Sequence, residues 1–139
     1  MSTSSKRPSG FDVAIPFVEG AGIELLEFSR ERVLARLDVQ DRHSNSSGFA
    51  HGGAVMTLLD VSMAMAGRLA SDAPDQTAVA TIEMKTAFMQ GAKGRLLCSG
   101  YCVHRTRSLA FCEAEVRDAD GALVAKGSGT FKFMQRKGG

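Results

Sequence analysis

From Gly52 to Leu69 the chain carries no proline and only one charged side chain, Asp60, ahead of Arg68. A stretch of this kind, apolar on nearly every side, reads as a helix that the rest of the protein must enclose. Everything else in the chain therefore has to be able to wrap it. The apolar part, Ala54 to Gly67, is interrupted by Asp60 and is too short to span a membrane.

The flanking segments have strand character. Gly22 to Val39 reads as two short strands in a hairpin with a polar break at Ser29 to Arg32. Asp41 to Gly48 is dense in turn formers and reads as a loop leading into the helix. After Pro74, the runs Ala78 to Met89, Arg95 to His104, Leu109 to Arg117 and Leu123 to Met134 read as four strands, with Leu109 to Arg117 alternating most regularly. Two strands, one buried helix and four strands make an α+β chain in which a mainly antiparallel sheet wraps one long helix. The 139 residues suit a single domain spanning 1–139. Met1 to Gly10 is Ser-rich, and no apolar stretch follows Lys6 and Arg7, so it reads as a frayed tail rather than a secretory signal. The expectation is a soluble, cytoplasmic protein.

Composition excludes several functions. A net charge of +2, from 17 basic and 15 acidic side chains, is too balanced for a nucleic-acid or membrane-binding face. Cys98 and Cys102 fall on one face of a strand roughly 13 Å apart and cannot bridge each other. With Cys112 the count is odd, and the thiols read as reduced and mostly buried. His43, His51 and His104 are scattered, without zinc-site spacing, so no metal is expected. Neither G-x-S-x-G nor a phosphate-binding glycine loop is present.

The chemistry gathers at the start of the helix. Asn45-Ser-Ser-Gly-Phe-Ala-His51-Gly52-Gly53 followed by Asp60 places an amide, an imidazole, two glycines and a carboxylate around one helix entrance. Free N–H groups at a glycine-rich helix start, aided by the helix dipole, favour developing negative charge, which is an oxyanion hole in outline. Asp60, about two turns further on in apolar surroundings, is the candidate base or nucleophile. Taken singly, His51 reads as a hydrogen-bonded structural residue and Asp60 as either a functional acid or a satisfied polar group; it is the combination that points to catalysis. At 1.5 Å per residue, Gly52 and Asp60 lie roughly 12 Å apart along the helix, whereas both must come within about 3 Å of one reacting centre. The simplest solution is a two-fold dimer in which one subunit gives the Gly52 N–H and its neighbour gives Asp60.

His51-Gly52-Gly53 with an acid nine positions after the histidine resembles the signature of the PaaI-type hotdog thioesterases. The likeness continues through Thr81 to Gly94, Arg107 to Gly121 and Leu123 to Phe131. It implies a hotdog fold and hydrolysis of a small or medium acyl-CoA, aryl or phenylacetyl types included. It also implies that Asp60 attacks the thioester or activates water, that the Gly52 N–H holds the oxyanion with support from Asn45 and His51, and that Thr81 faces the acid. Coenzyme A, as part of the substrate and not a separate cofactor, would meet Arg105 and Arg107, with Lys93 and Arg95 as further phosphate contacts. The turn His104 to Ser108 departs from the family in lacking a glycine. The assembly implied is a homodimer as the minimal active unit, built into a homotetramer. Met56, Leu59, Met63 and Phe88 serve equally as acyl pocket or core. The alternatives are a non-catalytic acyl-CoA-binding module and, less well matched to the motif, an enoyl-CoA hydratase.

Overall fold

The computed structural model describes residues 7–136. Its long helix, α2 (Gly52–Leu69), occupies the span read from the sequence. Six strands form one antiparallel sheet: β1 (Glu24–Phe28), β2 (Val33–Asp38), β3 (Thr77–Phe88), β4 (Arg95–Arg105), β5 (Leu109–Arg117) and β6 (Leu123–Gln135). Their spatial order is β1-β2-β4-β5-β6-β3, so the chain leaves β2, passes through α2 and begins the far edge with β3. None of the described helices is long and apolar enough to cross a membrane.

The sheet curls around α2 because the helix is apolar over most of its circumference. Leu58, Leu59 and Met63 are fully buried, each worth about 2 kcal/mol in removed apolar surface. Close approach of helix and sheet depends on missing side chains. A Cβ on Gly100 of β4 would lie 3.0 Å from the Ser62 carbonyl oxygen, so α2 rests almost directly on the strand backbone. At the helix end, the Arg30 guanidinium donates to the carbonyls of Leu69, Ala70 and Ser71. A cation from the β1–β2 turn thereby satisfies acceptors that the helix itself leaves open.

Two sequence expectations are corrected. The tail reading of Met1 to Gly10 fails for residues 7–10; the preceding six lie outside the described residues. Arg7 pairs with Glu19 at 2.8 Å, the Leu25 N–H donates to the Ser9 carbonyl at 2.7 Å, and Phe11 immediately after is completely buried. Serine content masked the anchoring aromatic. A short helix, α1 (Pro16–Gly20), also stands where none was read. With five residues it is too brief to show a helical period, although Pro16 at its first turn is a start signal.

The two sheet edges differ. β1 is five residues long and carries a register shift. β3 is twelve residues long, pairs only with β6 among the described strands, and exposes Ile82 and Phe88 to more than half of their surface. Thr81 pairs with Phe131 and Glu83 with Thr130, so Ile82 is an inserted bulge residue. Phe131 and Gly129 face the core, and their partners Thr81 and Met84 therefore both face α2 despite being three positions apart.

The thiols follow their expectation. All three cysteines are free, with Cys98 and Cys112 buried and Cys102 partly so. Burial pushes the Cys98 thiol up to about 12, as expected for an inert core sulfur.

Candidate active site

The helix entrance is built by His51. Its backbone is extended (φ −62°, ψ 139°) and its Nδ1 accepts the Gly53 N–H at 2.8 Å, making the imidazole the N-cap of α2. An accepting Nδ1 leaves the neutral ring's proton on Nε2. The Gly52 N–H, the first of the helix, has no partner among the described residues. The Phe88 ring lies over Gly52, 3.5 Å from where a Cβ would stand. A donor aimed along the helix axis with no protein acceptor is available to an anionic oxygen.

Asn45 organises the loop before the entrance. Its Oδ1 accepts the backbone N–H groups of Ser47 (2.9 Å) and Phe49 (3.1 Å), and its own N–H donates to the Phe49 carbonyl. The loop closes through a bridge between Ser44 and Ala50. Asn45 thus acts on the loop backbone and makes no direct bond to His51 or Gly52. His43, which the sequence reading left without a role, is buried; its Nδ1 accepts the Gln40 N–H at 2.8 Å and its Nε2 donates to the Ala21 carbonyl at 2.6 Å. It ties the loop to the segment after α1.

Asp60 is half-buried on α2 and faces β3, where the Thr81 hydroxyl donates to its Oδ1 at 2.8 Å. Oδ2 has no partner among the described residues. The structure therefore brings Asp60 and Thr81 together and keeps Gly52 and His51 apart from them. Asp60 and Thr81 line an open cleft of about 820 Å³, and His51 and Gly53 line a separate one of about 590 Å³ beneath α1.

The four basic residues do not form one cluster within a chain. Arg95 opens β4 and pairs with Asp38 at 3.1 Å; Lys93 stands over the Phe49 ring at 4.8 Å. Arg105 ends β4 and pairs with Asp72 at 2.5 Å, and Arg107 is exposed in the following turn. Ten strand steps, roughly 33 Å, separate Arg95 from Arg105. Of the four apolar candidates, Leu59 and Met63 are core, whereas Met56 and Phe88 are exposed.

One pairing went unread in the sequence. Arg68, almost fully buried, donates through both terminal nitrogens to the two carboxylate oxygens of Asp12 (2.9 and 2.7 Å) and through Nε to the Pro74 carbonyl at 2.9 Å. The guanidinium holds the Asp12 carboxyl below the usual carboxylate range. The spacing Asp60, Ala64, Arg68 places all three on one helix stripe, a signal that was available; Asp12, 56 positions away, gave none.

A model of the thioesterase superfamily matches residues 47–125. The chain belongs to the thioesterase superfamily. A conserved protein of Pseudomonas aeruginosa superposes with a TM-score of 0.81 at 31% identity, over 87% of this chain and 95% of that one. A Saccharolobus solfataricus protein named "Putative esterase" is 26% identical over 116 residues, covering 83% of this chain and 81% of its own length. A thioesterase from Haemophilus influenzae shares the fold, with a TM-score of 0.79 at 18% identity over 86% and 82% of the two chains. The sheet wrapped on α2 is the hotdog fold of this superfamily. The matched span includes His51, Gly52, Asp60 and Thr81, and begins two residues after Asn45.

Proposed function

We propose that this superfamily member is a PaaI-type acyl-CoA thioesterase, cytoplasmic, and active as a homodimer within a homotetramer. Asp60 of one protomer, through its free Oδ2, attacks the thioester carbonyl or takes a proton from the attacking water. Negative charge developing on the carbonyl oxygen meets the Gly52 N–H of the partner protomer. Collapse of the adduct breaks the C–S bond, and water completes the hydrolysis to carboxylic acid and coenzyme A thiol. Thr81 fixes the carboxylate, His51 holds the helix entrance and Asn45 shapes the loop before it. Arg105 and Arg107, with Lys93 and Arg95, are the proposed contacts for coenzyme A phosphates, each pair serving from a different end of the sheet.

One observation carries this reading. A carboxylate positioned by a hydroxyl and an unpartnered helix-start N–H lie on the same helix, separated by roughly 12 Å. Neither half completes a site alone. The bare edge of β3 supports the dimer, since a long unpaired strand recruits another. Antiparallel pairing of two β3 strands with Thr81 opposite the partner's Phe88 would carry the partner's Gly52, on which that ring lies, toward Asp60.

Complementation tests the shared site. Gly52→Pro removes the N–H at a first-turn position that accepts proline, and His51 already has the backbone that a residue before proline requires. Asp60→Asn removes the carboxylate. Each variant alone should release thiol from acyl-CoA at a small fraction of the wild-type rate. Co-refolded, they should recover about a quarter of it, because half of the dimers are mixed and each mixed dimer keeps one intact site. No recovery would refute a shared site. Tight acyl-CoA binding by the wild type without thiol release would favour the non-catalytic binding module instead.

A further inference from the structure

The strand register sets two of the three cysteines against each other. Cys102 of β4 is the direct cross-strand partner of Cys112 of β5. Cys102 follows Cys98 and Gly100 on the face of β4 that meets α2, and the Cys112 sulfur lies 3.4 Å from where a Cβ on Gly67 would stand. Opposed residues of an antiparallel pair hold their Cα atoms about 4.5 or 5.5 Å apart, and a disulfide accepts about 4.4–6.8 Å. The separation that bars Cys98 from Cys102 along one strand is thus absent across the two strands. Glycines leave the space around Cys112 open: Gly67 on the helix, and Gly129 as its partner on β6. Val103 is an inserted bulge residue, so the backbone beside Cys102 is not locked by regular pairing.

The two thiols differ in access. Cys102 is partly exposed, and its Sγ donates to the His104 carbonyl at 3.4 Å; Cys112 is buried. Burial first, then the charge and hydrogen bonding of the adjacent Cys102 sulfur, raise the Cys112 thiol above its ordinary range. An external oxidant therefore meets Cys102, with Cys112 held beside it. Cys98, fully buried, has Val116 rather than a thiol opposite it.

We propose that Cys102 and Cys112 are a reversible oxidation site for hydroperoxides, in which Cys102 takes the oxygen and Cys112 resolves it to a cross-strand disulfide. The Cys102 thiol gives up its proton, its sulfur attacks the near oxygen of the hydroperoxide, and the O–O bond breaks. That leaves a sulfenic acid and an alcohol, or water where the oxidant is hydrogen peroxide. The Cys112 sulfur then attacks the sulfenic sulfur, and the hydroxyl leaves with the Cys112 proton as water. Two thiols have then given two electrons and two protons to one hydroperoxide. An adjacent resolving thiol stops Cys102 from passing on to sulfinic acid, and a small-molecule dithiol reverses the bond. The bridge pins β4 to β5 beneath the last turns of α2, roughly 22 Å along the helix from Gly52, and uses no residue of the hydrolysis proposed above.

Hydrogen peroxide on the native wild type, followed by alkylation in denaturant and mass spectrometry of tryptic peptides, tests the site. Leu96–Arg105 and Ser108–Arg117 should appear joined, with fragmentation placing the link at Cys102 and Cys112 and an alkyl group on Cys98. Dithiothreitol should return all three thiols. Cys98→Ala should behave as the wild type does. Cys112→Ala should raise sulfinic acid at Cys102 at least about tenfold, and Cys102→Ala should leave Cys112 unoxidised at the same dose. Three results would overturn the proposal: Cys102 surviving as a thiol in the treated wild type, sulfinic acid forming there equally with and without Cys112, or a bond to a second chain in place of the internal one. Should a variant fail to fold, the wild-type peptide map decides alone.

Discussion

Asp60 and Arg68 are the two charged residues of α2, on one stripe and two turns apart, yet the fold treats them oppositely. Arg68 is buried with its donors committed to Asp12 and Pro74. Asp60 is only half-buried, has one hydroxyl partner, and turns its second oxygen toward an open cleft. A charge whose hydrogen-bonding capacity is saturated by its own chain has nothing left for a reactant, so Arg68 is architectural. One left half-satisfied beside a cavity keeps capacity in reserve. Satisfaction rather than burial separates the two.

Exchanging the readouts is the strongest way to break that contrast. Asp60→Asn should lower kcat about a thousandfold with a melting temperature within about 3 °C of wild type. Arg68→Ala should do the reverse in emphasis. It should lose about 2–3 kcal/mol of stability by denaturant titration, below the cost of breaking a fully buried pair because Asp12 retains part of its hydration. A destabilised Asp60→Asn with near-normal kcat would reverse the assignment. Thr81→Val sharpens it: losing one hydrogen bond to a charged oxygen should reduce kcat about tenfold with little change in KM. An unchanged kcat would mean that the carboxylate needs no anchor.

The smallest effect expected is an acid limb. Because Arg68 donates to it, Asp12 ionises below its ordinary range, its unshifted value being 3.8. Stability from the pair is therefore complete near neutrality and is lost as pH falls through the depressed pKa. Below about pH 4 the wild type should lose stability more steeply than Asp12→Asn, measured by thermal melts in a pH series. Parallel slopes would show that the pair contributes nothing to the acid response.

The helix and strands were legible because local pattern decides them. The unbroken apolar run of Gly52 to Leu69 admits little but an enclosed helix, and the alternation in Leu109 to Arg117 places that strand on the residues observed. The N-terminal segment was not, because its order comes from long-range partners: Phe11 in the core, Glu19 on Arg7 and Arg68 on Asp12. At the site, His51, Gly52 and Asp60 could be picked out from residue chemistry and helix rise. The hydroxyl of Thr81 could not, since a threonine on a strand is ordinary, and only resemblance marked it before the 2.8 Å contact with Asp60. The four basic residues illustrate a different limit. Lys93 and Arg95 are close to Arg105 and Arg107 in sequence, but an extended strand carries them to opposite ends of the sheet.

The inserted Ile82 divides β3 into two segments of independent parity. Straightening the strand with that residue retained would give a regular ladder in which the hydroxyl at 81 and the row from Met84 to Phe88 could no longer share a face. Either Asp60 would lose its anchor or the Phe88 ring would swing off Gly52. What the strand has to keep between these two points is the parity that the bulge supplies.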